Sequence, residues 1–112
     1  MNGQVVKIIQ PQNFSKRAKK LLTEIEIKLL AEFLSEQPEK GDVIPGTGGL
    51  RKLRWSLGNQ GKRGGSRVIY YYHRPEYLVL LLAIYAKSQK EDLDADEKKA
   101  LRSAVEMYIG ME

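Results

Sequence analysis

The 112-residue chain has no cysteine, one histidine and one tryptophan. Without thiols it can form neither a disulfide nor a thiolate metal site, and a reducing cytoplasm suits it. The lone histidine, His73, cannot build a metal cluster of ordinary ligand spacing, and a Ser-His-Asp arrangement would rest on it alone. No metal and no cofactor are therefore expected. Long apolar runs are also missing. The longest, Leu78 to Ala86, is nine residues, where a membrane-spanning helix needs about 20. Met1 to Gln10 lacks the length and cleavage pattern of a signal peptide. The chain is expected to stay soluble and cytoplasmic, with no membrane partner, and its length suits one domain over residues 1–112.

Acidic residues are absent from one long stretch. Between Val43 and Pro75 there are seven Lys/Arg residues and no Asp or Glu, in a chain of net charge +5. The acids lie on either side, at Glu24 to Asp42 and Glu91 to Glu97. A single-sign stretch inside a domain is a candidate phosphate-binding surface. The glycines within it do not make a nucleotide loop: GTGGLRK lacks the Walker frame, and no GxGxxG follows a strand and opens a helix. Paired carboxylates of the glycosidase kind are unsupported in a region without acids.

The pattern of what is present predicts an α+β domain. Gln4 to Gln10 is short and β-branched, and Pro11 stops it, so it reads as an opening strand. Phe14, Ala18, Leu21 and Leu22 recur at helical spacing. Thr23 with Glu26 then matches a capping box that starts a second helix, with one bent helix from Phe14 to Glu36 as the alternative. Ile25, Leu29, Leu30, Phe33 and Leu34 form the apolar stripe of that second helix. Asp42 to Gly49 holds too many breakers for a regular element. Leu50 to Leu57, Ser66 to Arg74 and Tyr77 to Lys87 read as an antiparallel meander, the last strand central and covered on both faces. Asp94 with Glu97 caps a final helix with the stripe Leu101, Ala104, Val105 and Tyr108, ended by Gly110. The expected fold is a small antiparallel sheet flanked by two N-terminal helices and one C-terminal helix.

Strand alternation puts Lys52 and Arg54 on one face and Arg51, Leu53 and Trp55 on the other. Any solvated sheet face could carry such a pair. Tyr70, Tyr71 and Tyr72 cannot all point one way, so at least one belongs to the core. Lys62 and Arg63 stand on a glycine-rich loop, suited to phosphate contact or simply to solubility. Lys16, Lys19 and Lys20 read most simply as a solvated helix face. A cationic sheet face with tyrosines nearby suits metal-free cleavage of RNA, where the substrate's own 2′-hydroxyl attacks the adjacent phosphate. The protein then has to hold the atoms in line, stabilise phosphoryl charge and handle two protons. Arginine forks suit the charge, and aromatic rings can stack on splayed bases.

GDVIPGTGGLRKLRW (Gly41 to Trp55), GKRGGSRVIYYY (Gly61 to Tyr72) and IYAKSQKEDLDADEKKAL (Ile84 to Leu101) together resemble RelE/ParE-superfamily type II toxins, and are most similar to the HigB-like branch. The resemblance covers roughly Gly41 to Val105. It implies a ribosome-dependent endoribonuclease that cuts mRNA in the ribosomal A site and is neutralised by a cognate antitoxin. By position it implies Lys52 and Arg54 as the basic pair of the second strand and Arg67 as the arginine of the third. Tyr85, Lys87 and Lys90 occupy the segment at the end of the last strand. Within this catalytic set, Lys52 or Lys87 would move protons while Arg54 and Arg67 clamp phosphate. Arg51, Lys62, Arg63, Lys16, Lys19 and Lys20 would contact RNA. The alternatives are a ParE-like poison of DNA gyrase without ribonuclease activity, or an inactive module kept for antitoxin or nucleic-acid binding.

Overall fold

A computed structural model describes residues 5–56 and 65–110 of the chain. The elements run β1 (Lys7–Ile9), α1 (Gln12–Leu21), α2 (Glu24–Glu36), β2 (Asp42–Val43), β3 (Leu50–Trp55), β4 (Ser66–His73), β5 (Leu78–Ala86) and α3 (Ala95–Ile109), with a 3-10 turn at Arg74–Glu76. The strands form one five-stranded sheet in the order β1-β5-β4-β3-β2. The expected α+β class and helix arrangement are present, but the sheet is mixed: β3, β4 and β5 form the antiparallel meander, whereas β1 runs parallel to β5. Two helices separate β1 from the meander, so no hairpin fixes its direction.

Side chains pointing to opposite faces of the sheet build two cores. On one face α1 and α2 bury Phe14, Ala18, Leu30 and Leu34 against Leu53, Trp55, Val68, Tyr70 and Val79. On the other, Val105 of α3 and Leu93 before it cover Leu50, Ile69, Leu80 and Tyr85. β5 has a strand on either side and is covered on both faces, as its nearly unbroken apolar run predicts. No helix among the described residues is long and apolar enough to cross a membrane.

Local signals explain where the helices start. Thr23 and Asp94 each accept from the backbone N–H three residues on, while Glu26 and Glu97 reach back to the capping residue, so both expected capping boxes form. The first of them separates α1 from α2 and removes the single-bent-helix alternative. The apolar stripes are narrower than expected. Ile25 and Leu29 are exposed on α2, because Leu30 and Leu34 point inward and the helix turns about 100° per residue. Tyr108 on α3 is exposed too, and Ile109 packs in its place.

The glycine-rich segment after α2 was expected to be irregular, yet Asp42 and Val43 pair with Lys52 and Arg51. Two anchors make this possible. The buried Tyr70 hydroxyl accepts from Gly41 N–H at 2.8 Å and donates to the Pro38 carbonyl at 2.8 Å, holding the chain as it leaves α2. Thr47, itself buried, donates to the Ile44 carbonyl at 2.6 Å and accepts from Leu50 N–H at 3.1 Å, closing the turn into β3. This turn also meets α3, since Arg102 donates to the Gly48 carbonyl at 3.3 Å and lies over the Tyr71 ring.

Candidate active site on the α3 face of the sheet

The strand register builds the site. Arg54 of β3 lies opposite Arg67 of β4, and Arg67 lies opposite Tyr85 of β5. These three residues therefore form a row across the sheet, on the face that α3 partly covers. Lys52 is two residues from Arg54 on β3 and shares its face. Arg67 is only 3% exposed. A guanidinium this deep in a sheet is held in place by its surroundings, which suits a fixed donor better than a mobile surface cation.

The connection between β5 and α3 folds back over the row. Arg67 donates from Nε and Nη2 to the two oxygens of Glu91, each at 3.2 Å, in the bidentate arrangement a guanidinium makes with a carboxylate. Lys52 Nζ lies 2.6 Å from the Asp92 carboxylate and 3.6 Å from that of Glu91. The Tyr85 hydroxyl donates to the Glu91 backbone carbonyl at 3.2 Å. Beside this cluster an open cleft of about 750 Å³ runs along β3, with Lys40, Lys52, Arg54 and Lys98 among its walls.

Burial pushes the Tyr85 hydroxyl above its ordinary value, and the carboxylates of Asp92 and Glu91 push the same way. At neutral pH Tyr85 is therefore a proton donor. The acids move in the other direction. The Arg67 hydrogen bonds hold Glu91 below the usual carboxylate range, and the Lys52 hydrogen bond does the same for Asp92.

A family model described as RelE toxin of the RelE/RelB toxin–antitoxin system matches residues 6–112. The chain belongs to the RelE toxin family. A solved structure agrees at the level of fold: that of an arginine-to-alanine double mutant of E. coli toxin RelE in the free state superposes with a TM-score of 0.61. It is 13% identical, and the match covers 91% of this chain and 98% of that one.

The remaining site residues expected for this RelE-family chain fall in several places. Lys90 leaves the row: it pairs with Glu97 and lies 5.3 Å from the Tyr85 ring centroid, supporting that ring by a cation–π contact. Lys87 is exposed on the turn after β5, its backbone N–H donating to the Gly65 carbonyl at 3.1 Å. Arg51 lies on the opposite face, where it donates to the carbonyls of Glu39 at 3.0 Å and Gly41 at 2.7 Å. This makes it a brace for the α2–β2 connection rather than part of the cationic row. Lys16, Lys19 and Lys20 are exposed on α1, whose buried residues Phe14 and Ala18 face the other core. Lys62 and Arg63 lie outside the described residues. Sequence reasoning missed Glu91 and Asp92 as site residues, and Lys40 and Lys98 as walls of the cleft.

The three depressed carboxylates, Glu91, Asp92 and Glu97, give a signed pH dependence, the last being held down by Lys90. Each has a folded value below its ordinary one, 4.5 for Glu and 3.8 for Asp. Each therefore contributes stability that is complete above the ordinary value and is lost as pH falls through the lower folded value. The melting temperature should hold from neutral pH to about pH 5 and then fall through pH 4 and below. Glu91→Gln should lose less on acidification than the wild type. An identical acid profile for the two would place the acid-labile interactions elsewhere.

Proposed function

We propose that this chain is the toxin of a type II toxin–antitoxin pair and cuts messenger RNA in the ribosomal A site. The observation that carries the reading is the row of Arg54, Arg67 and Tyr85 across the sheet with Lys52 beside it. Membership of the RelE toxin family supports it. The same reading implies a cytoplasmic protein, a cognate antitoxin partner that neutralises it, and a single toxin domain over the whole chain.

The row contains cations and a proton donor, two of the three parts a metal-free transphosphorylation requires, the third being a base. The substrate supplies the nucleophile. Its 2′-oxygen bonds to the adjacent phosphorus as the bond from phosphorus to the 5′-oxygen breaks, giving a 2′,3′-cyclic phosphate and a free 5′-hydroxyl. Charge on the non-bridging oxygens is met by the Arg67 fork and by Arg54. Lys52 or Lys87 takes the proton from the 2′-hydroxyl. Tyr85, protonated at neutral pH as tyrosine ordinarily is, donates to the departing 5′-oxygen. The cleft along β3, where Lys40, Lys52, Arg54 and Lys98 outnumber Asp42 and Asp92, gives the flanking nucleotides a path of net positive charge, and the bound ribosome supplies the in-line geometry.

The test is brief expression in cells followed by mapping the 5′ ends of cellular mRNA. Codon-phased cuts are the expected result. DNA damage with intact transcripts would overturn the reading in favour of a gyrase poison, and unaffected growth would leave a module without toxin activity.

A further inference from the structure

Arg67 in the row and Lys52 beside it already hold anions, and those anions belong to the same chain. Glu91 occupies both donors of the Arg67 fork, and Asp92 with Glu91 occupies Lys52. We propose that the Glu91–Asp92 pair is a displaceable carboxylate plug: it fills the phosphate site at rest, and an RNA phosphate must evict it. The inference rests on reading this sheet face as the phosphate site.

The geometry favours side-chain exchange over rearrangement. A carboxylate presents two oxygens to a guanidinium as a phosphate does, so the fork can change partner without moving. The plug is exposed where its partner is buried: the Glu91 and Asp92 side chains are 43% and 72% exposed, against 4% for Arg67. Their departure therefore uncovers little apolar surface. The backbone beneath them is held separately. Leu93 is buried against the sheet, and Asp94 caps α3. The side chains can swing out while the connection stays in place.

Such a plug sets a threshold. Isolated phosphate or a stray nucleotide competes with carboxylates that are always present at high local concentration, and its apparent affinity falls by the fraction of molecules that are open. An RNA strand held by further contacts can meet that cost. The plug thus lowers the affinity of every phosphate ligand by the same factor, and only a ligand held by further contacts still binds at ordinary concentration.

The full-length protein tests this with two probes: inorganic phosphate, and an uncleavable single-stranded hexanucleotide carrying 2′-deoxy sugars. The variant E91Q/D92N removes the two charges and keeps the side-chain shapes. E32Q/E36Q removes two charges from the exposed face of α2 and controls for net charge. E91Q/D92N should bind both probes about tenfold tighter than wild type, and the control should change by less than about twofold at 0.1 M salt. Phosphate should also raise the melting temperature of E91Q/D92N more than that of wild type, because a ligand bound only to the folded state stabilises it. D92N alone leaves the Arg67–Glu91 pair in place and gives a smaller gain of the same sign, which keeps the test open should the double variant fold poorly. Affinities of E91Q/D92N and D92N that only match the charge control, or fall below wild type, would overturn the plug. The two readings separate cleanly. A wild type that leaves mRNA intact, beside an E91Q/D92N that gains phosphate affinity, upholds the plug and removes the ribonuclease. Codon-phased cutting by wild type without that gain does the reverse.

Discussion

Arg67→Ala is expected to slow mRNA cleavage on the ribosome by about 10²–10³-fold, the usual effect of removing one donor aimed at transition-state charge. Ribosome binding should fall much less, because electrostatic docking to RNA is shared among many cations. The expectation follows from position. Arg67 stands between Arg54 and Tyr85 in register, is buried, and presents two donors to one anion. Arg67→Lys keeps the charge but not the fork, so it should recover only part of the lost rate. It also fills more of the space that alanine would leave beneath the site. A circular-dichroism melt establishes that each variant is folded before rates are compared. Equal losses of cleavage and of ribosome binding in the folded Arg67→Ala protein would end the separation between a catalytic arginine and a docking surface.

Alternation along the strands was enough to place Lys52 and Arg54 together, since a period of two leaves only one choice of face. Periodicity likewise exposed the capping boxes at Thr23 and Asp94, because a cap is made from residues three apart in the chain. What local patterns could not contain is the register between strands. That Arg54 meets Arg67, and Arg67 meets Tyr85, depends on where β3, β4 and β5 begin pairing. The family resemblance brought these residues into one list; the register brings them into one row. Lys90 falls outside the row. Its place after the last strand suggested a catalytic cation, but Glu97, needed for the cap of α3, also holds its ammonium group. Glu91 and Asp92 read as part of an acidic flank, and nothing in their spacing showed that the connection doubles back over the sheet. The parallel pairing of β1 was hidden for a related reason: three residues without a hairpin carry no record of their direction.

The row depends on a single residue at its margin. Gly65 enters β4 with φ of +66°, and a Cβ built there would lie 2.4 Å from Ser56 Cβ and 2.6 Å from the Trp55 carbonyl oxygen. The latter is backbone and cannot turn aside. Pairing of β3 with β4 reaches Trp55 and Ser66, immediately beside this point, and the Gly65 carbonyl accepts from Lys87 N–H at the end of β5. Gly65→Ala therefore strains both junctions at once, two residues from Arg67. Left-handed backbone and overpacking together should cost roughly 2–5 kcal/mol, a fall in melting temperature of about 10–20 °C for a chain of this size. Gly46 provides the control: its φ is +75°, but no atom lies within 4 Å of a Cβ built there. Gly46→Ala should then show the backbone term alone, about 1–2 kcal/mol. Cleavage measured below both melting temperatures should fall in Gly65→Ala and persist in Gly46→Ala, because only the first disturbs the strand ends that align Arg54, Arg67 and Tyr85. Equal melting temperatures for the two variants would mean that β3 and β4 can part at this end without strain, and that the alignment of the row is fixed elsewhere in the sheet.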